Sequence, residues 1–330
     1  MNYKDGVSVV ICCYNSEKRI VPTLEHLDKQ ENIDFDWEVL VVDNNSKDAT
    51  STIALQQWKN SIVPFKVVKE SRPGTRYARE TGISSSSFRY VLFCDDDNWL
   101  QPQYVSIAYQ CIRRDIGIAA VGGMGIIKLE TGLIAPFWLD AFKNNYGCGP
   151  QGKEDGDTTY YKGCLYTAGA IFDRMWLDRL QAKGFQSSLT GRDGKTLVAG
   201  EDTELTLALN LLGAKLHYSS QLHFQHFMPE NRMQWAYLRK LNFSFGRSNF
   251  LLSPYFDRLI GYPKRSVLWV IYARLRLFLN ARKAAQRVGL EEGREEVLKY
   301  EKAKGELIEA LTNTKTFLTN RNMVEKLART

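Results

Sequence analysis

Two hydrophobic segments near the start of the chain constrain its fold more than any other feature. Val7–Cys13 is almost entirely apolar, and Trp37–Val42 is apolar up to the acidic residue Asp43. Strands that are buried on both faces read as continuous apolar segments, and such strands are typical of parallel sheets with helices on each side. The two segments therefore predict two buried parallel strands.

Further strand-like segments follow at Phe65–Val68 and Tyr90–Cys94, with segments of helical length between them. One of these runs towards Trp58 and begins with Ser46 and Asp48, whose short polar side chains can cap the first free amides of a helix. Strand and helix alternating in this way predict an α/β protein with right-handed crossovers and a mostly parallel sheet. In such sheets, ligands bind at the carboxyl ends of the strands.

The character of the sequence changes after residue 230. The stretch 231–250 is aromatic and basic, Val267–Leu279 is apolar but interrupted by arginines, and Glu291–Leu327 is charged with helical spacing. We therefore predict a core domain over residues 1–230 and a basic helical C-terminal appendage over residues 231–330. The core carries 24 basic and 28 acidic side chains and the appendage 20 and 9, so the net charge of +7 comes from the appendage.

Composition narrows the class of protein. Hydrophobic residues make up 44% of the 330 residues and charged residues 25%, as in a globular protein. Six cysteines are few for this length, and the N-terminal residues lack the apolar segment of a signal peptide, so we expect a reduced cytoplasm. No apolar run approaches the about 18 residues that a membrane-spanning helix needs.

Three consecutive carboxylates, Asp95, Asp96 and Asp97, directly follow the strand-like segment that ends at Cys94. Like charges this close raise one another's pKa, so the arrangement is costly unless a cation neutralises it. Carboxylate oxygens suit Mg²⁺ or Mn²⁺, and Mg²⁺ commonly adds substrate phosphates to one or two carboxylates. The alternative is a solvated acidic turn that caps the next helix.

A second acidic pair, Glu201 and Asp202, precedes the apolar helix-like segment Leu205–Leu212. Carboxylates at a helix N-terminus stabilise the helix dipole, so a capping role is open. The functional alternative makes one of the two a general base. Together with the aspartate triplet, the pair would then supply the two carboxylate groups of a metal-assisted transfer reaction.

Five short motifs stand in a fixed order within residues 5–230. They are Val7–Asn15, Glu38–Ser46, Pro73–Glu80, Asp95–Asp97 and Glu201–Asp202. In this order they resemble the two nucleotide-binding strands, the G-x-x-x-A-R-N segment, the D-x-D motif and the E-D motif of family 2 glycosyltransferases with the GT-A fold. Glu80 departs from the family pattern, which has Asn there. His226–Pro229 with Arg232, and Phe245–Ser248, resemble a tail found in members that build bacterial surface polysaccharides.

The resemblance implies a Rossmann-like, mostly parallel mixed sheet flanked by helices, with residues 1–230 as the catalytic domain. It implies an inverting reaction in which Asp202 is the general base and Glu201 orients the substrate or the base. Asp97 and His226 are the implied ligands of Mn²⁺ or Mg²⁺, with His223 as an alternative to His226. The implied contacts to the nucleotide and its diphosphate are Tyr14, Asn15, Asp43, Asn45, Arg76, Arg79, Asp95 and Asp96.

The expected reaction moves a sugar from a UDP- or dTDP-sugar to a glycan or lipid-linked acceptor in surface polysaccharide synthesis. One alternative is a nucleotidyltransferase, but its glycine-rich, basic phosphate loop is absent from the turn Cys13–Ser16. The other is a non-catalytic glycan-binding module, against which the retained Asp97, Glu201 and Asp202 argue. We expect no nucleic-acid partner, because residues 1–230 are acidic and contain no recognition motif.

The acceptor side is less defined. The resemblance implies that Gly163–Ala170, with Phe172, Arg174 and Trp176, leads into the acceptor pocket. Trp138 lies in a region punctuated by Gly and Pro. Aromatic side chains stack on sugar faces, but they also fill cores. Both roles remain open for these residues.

The C-terminal region has one further pattern. Eight basic residues and no acidic residue lie between Arg258 and Leu290, around the apolar run Val267–Leu279. A helix of this kind can lie in the interface of an anionic membrane, which would place the protein peripherally on the inner face of the plasma membrane. Alternatively, the helix packs its apolar stripe on the core domain or on a second subunit of a homodimer.

Overall fold

The computed structural model describes residues 3–191 and 199–328, which form one mixed nine-stranded sheet and eleven α-helices. The strands are β1 Lys4–Cys13, β2 Trp37–Asp43, β3 Phe65–Lys69, β4 Phe88–Asp95, β5 Asn98–Leu100, β6 Ile118–Leu129, β7 Gly156–Asp157, β8 Ile171–Asp173 and β9 Lys215–Met228. The helices are α1 Ile20–Asp28, α2 Thr50–Gln57, α3 Thr75–Ser85, α4 Tyr104–Ile112, α5 Leu139–Phe142, α6 Arg174–Ala182, α7 Glu201–Leu211, α8 Trp235–Leu259, α9 Val267–Arg287, α10 Glu295–Thr312 and α11 Thr314–Leu327.

The sheet has the strand order β3-β2-β1-β4-β8-β6-β9-β5, with β7 paired to β9. The N-terminal strands β3, β2, β1 and β4 are parallel to one another, whereas β8 is antiparallel to both β4 and β6. Successive residues of β1 alternate between two separate hydrophobic clusters, Val10 in one and Val9 and Ile11 in the other. Because both faces of the strand are covered, Val7–Cys13 can be apolar throughout. The predicted α/β class with a mostly parallel mixed sheet is confirmed.

The four strands predicted from the N-terminal sequence are all present. The start of α2 differs from the prediction, because the helix begins at Thr50 rather than at Ser46 or Asp48. The Asp43 carboxylate accepts a hydrogen bond from the Ser46 amide, so this segment forms a turn before the helix starts. Asp48 still contacts the helix end, since its Oδ1 accepts a bond from the Thr50 amide.

The described residues after β9 contain helices and no strand. The charged stretch expected to be helical divides into α10 and α11 at Asn313. Helix α10 packs closely on α8 where Gly246 of α8 and Gly305 of α10 face the backbone of the other helix. Three glutamates of α10 form ion pairs with arginines of α8 and α9. These pairs are Arg239–Glu301, Arg247–Glu309 and Arg274–Glu306.

The C-terminal helices share a core with the sheet. Phe250 and Tyr255 of α8 are fully buried in the same hydrophobic cluster as Val10 of β1, Phe172 of β8 and Leu207 of α7. The division at residue 230 is therefore a change in secondary structure within a continuous core. None of the helices in the described ranges combines the length and apolar character needed to cross a membrane.

Candidate active site

A cleft with a volume of about 850 Å³ opens at the carboxyl ends of β1 and β4. Cys12 of β1 pairs with Asp95 of β4, and Cys13 pairs with Asp43 of β2, so these three strands end at the same edge of the sheet. Eight of the predicted site residues line the cleft, namely Tyr14, Arg79, Asp95, Asp96, Asp97, Glu201, Asp202 and His226. The C-terminal helices form another wall, to which α8 and α10 contribute Tyr237, Phe245, Ser248, Asn249, Leu252, Phe256 and Lys302.

Asp96 is held by the segment that follows β1. Its Oδ2 accepts hydrogen bonds from the Ser16 hydroxyl and, at 2.9 Å, from Arg19 Nη2, and its backbone carbonyl accepts one from the Thr23 hydroxyl. Burial and the neighbouring Asp97 carboxylate raise the pKa of Asp96, and the bonds from Arg19 and Ser16 oppose this shift. These contacts tie the aspartate triplet to α1.

Asp97 lies between two cations. Its Oδ1 is 3.4 Å from His226 Nε2, and its Oδ2 accepts a hydrogen bond of 2.9 Å from Arg232 Nη1. Burial would raise the pKa of Asp97, but His226 and Arg232 hold it far below its usual range. Burial would likewise lower the pKa of His226, but Asp97 raises it to about 10, which favours the protonated imidazole beside this carboxylate.

The sheet explains why His226 is at this position. Asn98, the residue after Asp97, pairs with His226 in the antiparallel β5–β9 ladder, and the Phe227 amide donates to the Asp97 carbonyl at 2.9 Å. His223 lies three residues earlier on the same strand, where side chains alternate between faces, and it is exposed and outside the lining of the cleft. Of the two candidate histidines, only His226 contacts the triplet.

The donor chemistry of Asp97 and His226 fits a divalent cation. A carboxylate oxygen and an imidazole nitrogen are both competent ligands of Mn²⁺, although the imidazole must first lose its proton. Within residues 3–191 and 199–328 no cluster of three or more candidate ligand side chains is present. A metal at this position would therefore take only one or two ligands from the described protein and the rest from substrate phosphates or water, as Mg²⁺ commonly does.

Glu201 and Asp202 begin α7, next to Gly200, whose φ of 117° is in a region that favours glycine. Glu201 Oε1 accepts a hydrogen bond of 2.9 Å from Arg79 Nη1, and both side chains are about nine-tenths buried. Burial would lower the pKa of Arg79, but Glu201, Asp95 and Asp202 raise it. Arg79 thus pairs with Glu201 and is close enough to Asp95 and Asp202 to feel their charge, and Asp202 Oδ1 accepts a bond of 2.7 Å from the Thr203 amide.

The two predicted nucleotide-binding turns are joined to each other. The Asn15 amide donates to Ser46 Oγ at 3.0 Å, and Asn15 Oδ1 accepts from the Lys47 amide at 2.8 Å. Asn15 and Asn45 are exposed and have positive φ angles of 48° and 63°, which Asn tolerates better than most residues. Both therefore lie at the tips of tight turns, outside the lining of the cleft.

Asp43 and Arg76 also lie outside the lining of the cleft. Burial raises the pKa of Asp43, but hydrogen bonds from Ser46 and Ser51 outweigh it and lower the pKa. Arg76 donates to Glu80 at 2.7 Å and to the Ser187 carbonyl. Glu80, which replaces the asparagine of the family pattern, is thus the ion-pair partner of Arg76.

The aromatic residues considered for the acceptor side belong mainly to the core. Trp138 and Phe172 are 2% and 0% exposed, and Trp138 Nε1 donates to Glu292 at 2.6 Å. Trp176 donates to the Ile116 carbonyl and packs against the core. None of these three lines the cleft; the aromatic residues of the predicted segment 163–170 and of α8 that do so are Tyr166, Tyr237, Phe245 and Phe256.

Several cleft residues were not predicted as site residues. Arg19 is one basic residue among many, and no local pattern distinguishes it. Arg232 lies in the C-terminal segment that resembles the family, so the sequence marked the residue but not its ion pair with Asp97. Asn249 and Lys302 come from α8 and α10, and only the packing of these helices brings them to the cleft.

A mixed, mostly parallel α/β sheet flanked by helices, with a cleft at the carboxyl ends of its parallel strands where the Asp95–Asp97 triplet lies, has the architecture of the GT-A class of fold. The chain belongs to glycosyl transferase family 2, whose family model matches residues 8–179. It is 32% identical to glycosyltransferase AglE of Haloferax volcanii over 139 aligned residues. These residues make up 42% of this chain and 45% of AglE.

Two further comparisons extend over more of the chain. Poly(ribitol-phosphate) beta-N-acetylglucosaminyltransferase TarP of Staphylococcus aureus is 20% identical over 247 residues, which are 74% of this chain and 68% of TarP. The crystal structure of S. aureus TarS in complex with UDP-GlcNAc superposes with a TM-score of 0.52 and 17% identity, covering 90% of each chain. The first two curated relatives are matched over only 28% and 45% of their own length.

Proposed function

We propose that this protein is an inverting glycosyltransferase that moves a sugar from a UDP- or dTDP-sugar to a glycan or lipid-linked acceptor during surface polysaccharide synthesis. Family membership supports the reaction class. The observation that carries the proposal is that one cleft brings together Asp95–Asp97, Glu201–Asp202, His226 and Arg232. The names of relatives that act on poly(ribitol-phosphate) support a surface glycan as the product.

The donor diphosphate is proposed to lie beside Asp97. When bound to Asp97 and His226, Mn²⁺ or Mg²⁺ would neutralise the charge that develops on the leaving diphosphate. Arg232 is mostly buried beside Asp97, with its side chain 20% exposed, and it stays charged because Asp97 raises its pKa although burial would lower it. Its guanidinium is therefore available as a donor to a phosphate oxygen.

The nucleoside is proposed to occupy the edge formed by β1 and β2. Tyr14 lies in the cleft and is 42% exposed, which leaves its ring free to stack on a base or ribose. Asn15, Asp43 and Asn45 form the linked turns beneath this position. We propose that these residues shape the base and ribose site, with Asp43 accepting from the N3–H of uracil or thymine.

Asp202 is the proposed general base. The acceptor hydroxyl would lose its proton to the Asp202 carboxylate as its oxygen forms a bond to the anomeric carbon. The bond from that carbon to the diphosphate oxygen breaks on the opposite face, so the anomeric configuration inverts and no covalent intermediate with the protein is needed. Glu201 is held by Arg79 and is proposed to orient Asp202 or the substrate.

We propose that the protein works in the cytoplasm. All six cysteines are free thiols, and five of them are buried, as expected for a chain folded in a reducing compartment.

Calorimetry of donor binding and an assay for released nucleoside diphosphate test the proposal. We expect wild-type affinity for UDP- or dTDP-sugars to fall strongly in EDTA, because the diphosphate and Asp97 repel each other without a cation. Asp97→Ala should lose this metal dependence, whereas Asp140→Ala, at an exposed carboxylate that does not line the cleft, should keep it.

Three results would contradict parts of the proposal. Equally tight binding in EDTA would contradict metal dependence. Donor binding without turnover, with every donor and acceptor offered, would favour the non-catalytic glycan-binding module. Pyrophosphate release from a nucleoside triphosphate would favour the nucleotidyltransferase.

A further inference from the structure

The outward face of α9 carries an apolar stripe. Leu268, Tyr272, Leu275 and Leu279 are spaced by four, three and four residues, so they lie on one face of the helix. Their exposed fractions are 79%, 55%, 41% and 44%. Only two residues of the whole helix, Val270 and Ala285, are buried. An exposed apolar stripe of this length is characteristic of an interaction surface.

Further exposed apolar side chains lie at the start of the helix and in the loop before it. Trp269 in the first turn of α9 is 45% exposed, and Ile260 and Tyr262 in the preceding loop are 67% and 59% exposed. Tryptophan and tyrosine combine an apolar ring with a polar group, and they are enriched where apolar and aqueous phases meet. Both the loop and the outward face of α9 therefore present apolar side chains to solvent.

Basic side chains flank this surface. Arg276 follows Tyr272 by four residues, Lys283 follows Leu279 by four, and Arg282 follows Leu279 by three, which places cations on both sides of the stripe. All three are exposed, and none of them forms an ion pair within residues 3–191 and 199–328. Two basic neighbours, Lys264 and Arg274, are instead paired with Glu325 and Glu306.

A second copy of this chain fits the surface less well. A parallel pairing of two such stripes would bring Arg276, Arg282 and Lys283 of one helix next to the same residues of the other, and like charges that flank an apolar seam repel each other. No acidic residue lies between Arg258 and Leu290 to compensate. Charge complementarity therefore favours an occupant that combines an apolar interior with a negatively charged surface.

We propose that this face of α9 binds the interface of an anionic lipid bilayer. The stripe Leu268–Leu279 would enter the boundary of the acyl chains, and the flanking cations would lie at the level of the phosphate groups. This inference goes beyond the proposed function, because it concerns a surface outside the cleft and holds whichever sugar is transferred. It would bring the protein to the bilayer that carries a lipid-linked acceptor.

Flotation of the full-length protein with vesicles tests this inference. We expect weak binding to vesicles of phosphatidylcholine alone and clear binding when part of that lipid is replaced by phosphatidylglycerol. Binding to the anionic vesicles should decrease as the ionic strength approaches about 1 M, where the Debye length is about 3 Å.

Two variants separate the apolar and the electrostatic contributions. Leu268→Gln with Leu275→Gln should weaken partitioning by about tenfold or more, because the apolar burial is lost. Arg276→Glu with Lys283→Glu should weaken binding to anionic vesicles by about 25-fold or more, since each cation near an anionic leaflet contributes about fivefold. These side chains are exposed, so thermal unfolding and donor binding in solution should match those of the wild type.

Matched controls have the same chemistry elsewhere on the surface. Ile62→Gln with Ile116→Gln changes two residues that are 90% and 69% exposed, and Lys29→Glu with Lys59→Glu reverses two exposed cations. Both controls should bind vesicles as the wild type does. Absence of wild-type binding at low salt, equal losses in the controls, or undiminished binding by both α9 variants would overturn the inference. So would a lipid-independent dimer that the Leu268→Gln/Leu275→Gln variant dissociates.

Discussion

At the scale of single residues, the carboxylates of the cleft differ in what surrounds them. Asp97 is neutralised by His226 and Arg232, and Asp96 is held by Ser16 and Arg19. Asp202 instead accepts a hydrogen bond from the amide of the next residue, Thr203, at the start of α7. Within residues 3–191 and 199–328 the Asp202 carboxylate forms no ion pair like that of Asp97, which suits the proposed general base.

Replacing the proposed base tests that role. We expect Asp202→Asn to keep the fold and the affinity for the donor but to slow transfer by about 10²–10⁴-fold, because an amide cannot accept the hydroxyl proton. Steady-state rates of nucleoside diphosphate release measure the loss, and Asp140→Asn at an exposed carboxylate is the control. Turnover close to that of the wild type would remove Asp202 from this role.

Glu38 allows a test of how the free energy of unfolding depends on pH. Its buried carboxylate accepts bonds from the Ser87 amide at 2.6 Å and the Ser8 hydroxyl at 2.7 Å, which links β2 to β1 and to the start of β4. Burial raises the pKa of Glu38, but these bonds and Lys66 outweigh it and lower the pKa. The ionised form therefore stabilises the fold above the ordinary pKa of 4.5, and this contribution is lost as the pH falls through the lowered value.

We expect Glu38→Gln to lower the free energy of unfolding by about 1–3 kcal/mol near neutral pH, because the bonds to a charged acceptor are weakened. The difference from the wild type should shrink as the medium is acidified. Urea unfolding at a series of pH values measures it, with Glu25→Gln at an exposed position as the control. A difference that is constant with pH would contradict the role given to the charge.

At the scale of elements, the position of the C-terminal wall depends on the contact between α8 and α10. A Cβ on Gly246 would lie 1.9 Å from the Lys302 carbonyl oxygen, and one on Gly305 would lie 2.1 Å from that of Phe243. Both atoms belong to backbone, so no side-chain rotation can relieve the overlap. The two glycines thus set the distance between the helices that carry Asn249 and Lys302 into the cleft.

Gly246→Ala should force these helices apart. Alanine favours a helix over glycine by about 1 kcal/mol, so propensity alone predicts a more stable protein. We expect the opposite, a loss of about 1–3 kcal/mol or more from overpacking, together with weaker activity because the cleft wall moves. Urea unfolding and donor turnover are the measurements, and a stabilised variant would contradict the close packing.

At the scale of the whole molecule, the C-terminal helices complete the core. Phe250 of α8 is fully buried and stacks on Phe317 of α11 with ring centroids 4.9 Å apart, in the cluster that contains Leu207 and Phe172. We therefore propose that residues 1–230 are a catalytic region that cannot fold without residues 231–330. The cleft also requires residues 231–330, because α8 and α10 form one of its walls.

Truncation tests this dependence. A fragment of residues 1–230 should show no cooperative unfolding transition and should bind a fluorescent apolar probe, because removal of α8 exposes the apolar surface around Leu207. The full chain should unfold in a cooperative transition under the same conditions. A fragment that unfolds cooperatively and binds donor would show instead that residues 1–230 form an independent domain.

Local sequence patterns determined the class of fold and the main acidic groups. The strands β1, β2 and β4 were readable because burial on both faces requires continuous apolar residues, and Asp95–Asp97 and Glu201–Asp202 are adjacent in the chain. The helical nature of residues after 230 was also visible, because helical spacing is a local property.

Only the tertiary structure decided which distant residues meet. The β5–β9 pairing brings His226 to Asp97, which the resemblance to the family implied but no local pattern showed. Arg19 reaches Asp96 from the position just before α1, and Lys302 enters the cleft because two glycines let α10 approach α8. The same holds for the outward face of α9, since its apolar spacing is compatible with either a buried or an exposed helix. Contacts between residues far apart in the chain arise from packing of whole elements, and packing leaves no pattern in the neighbouring sequence of either partner.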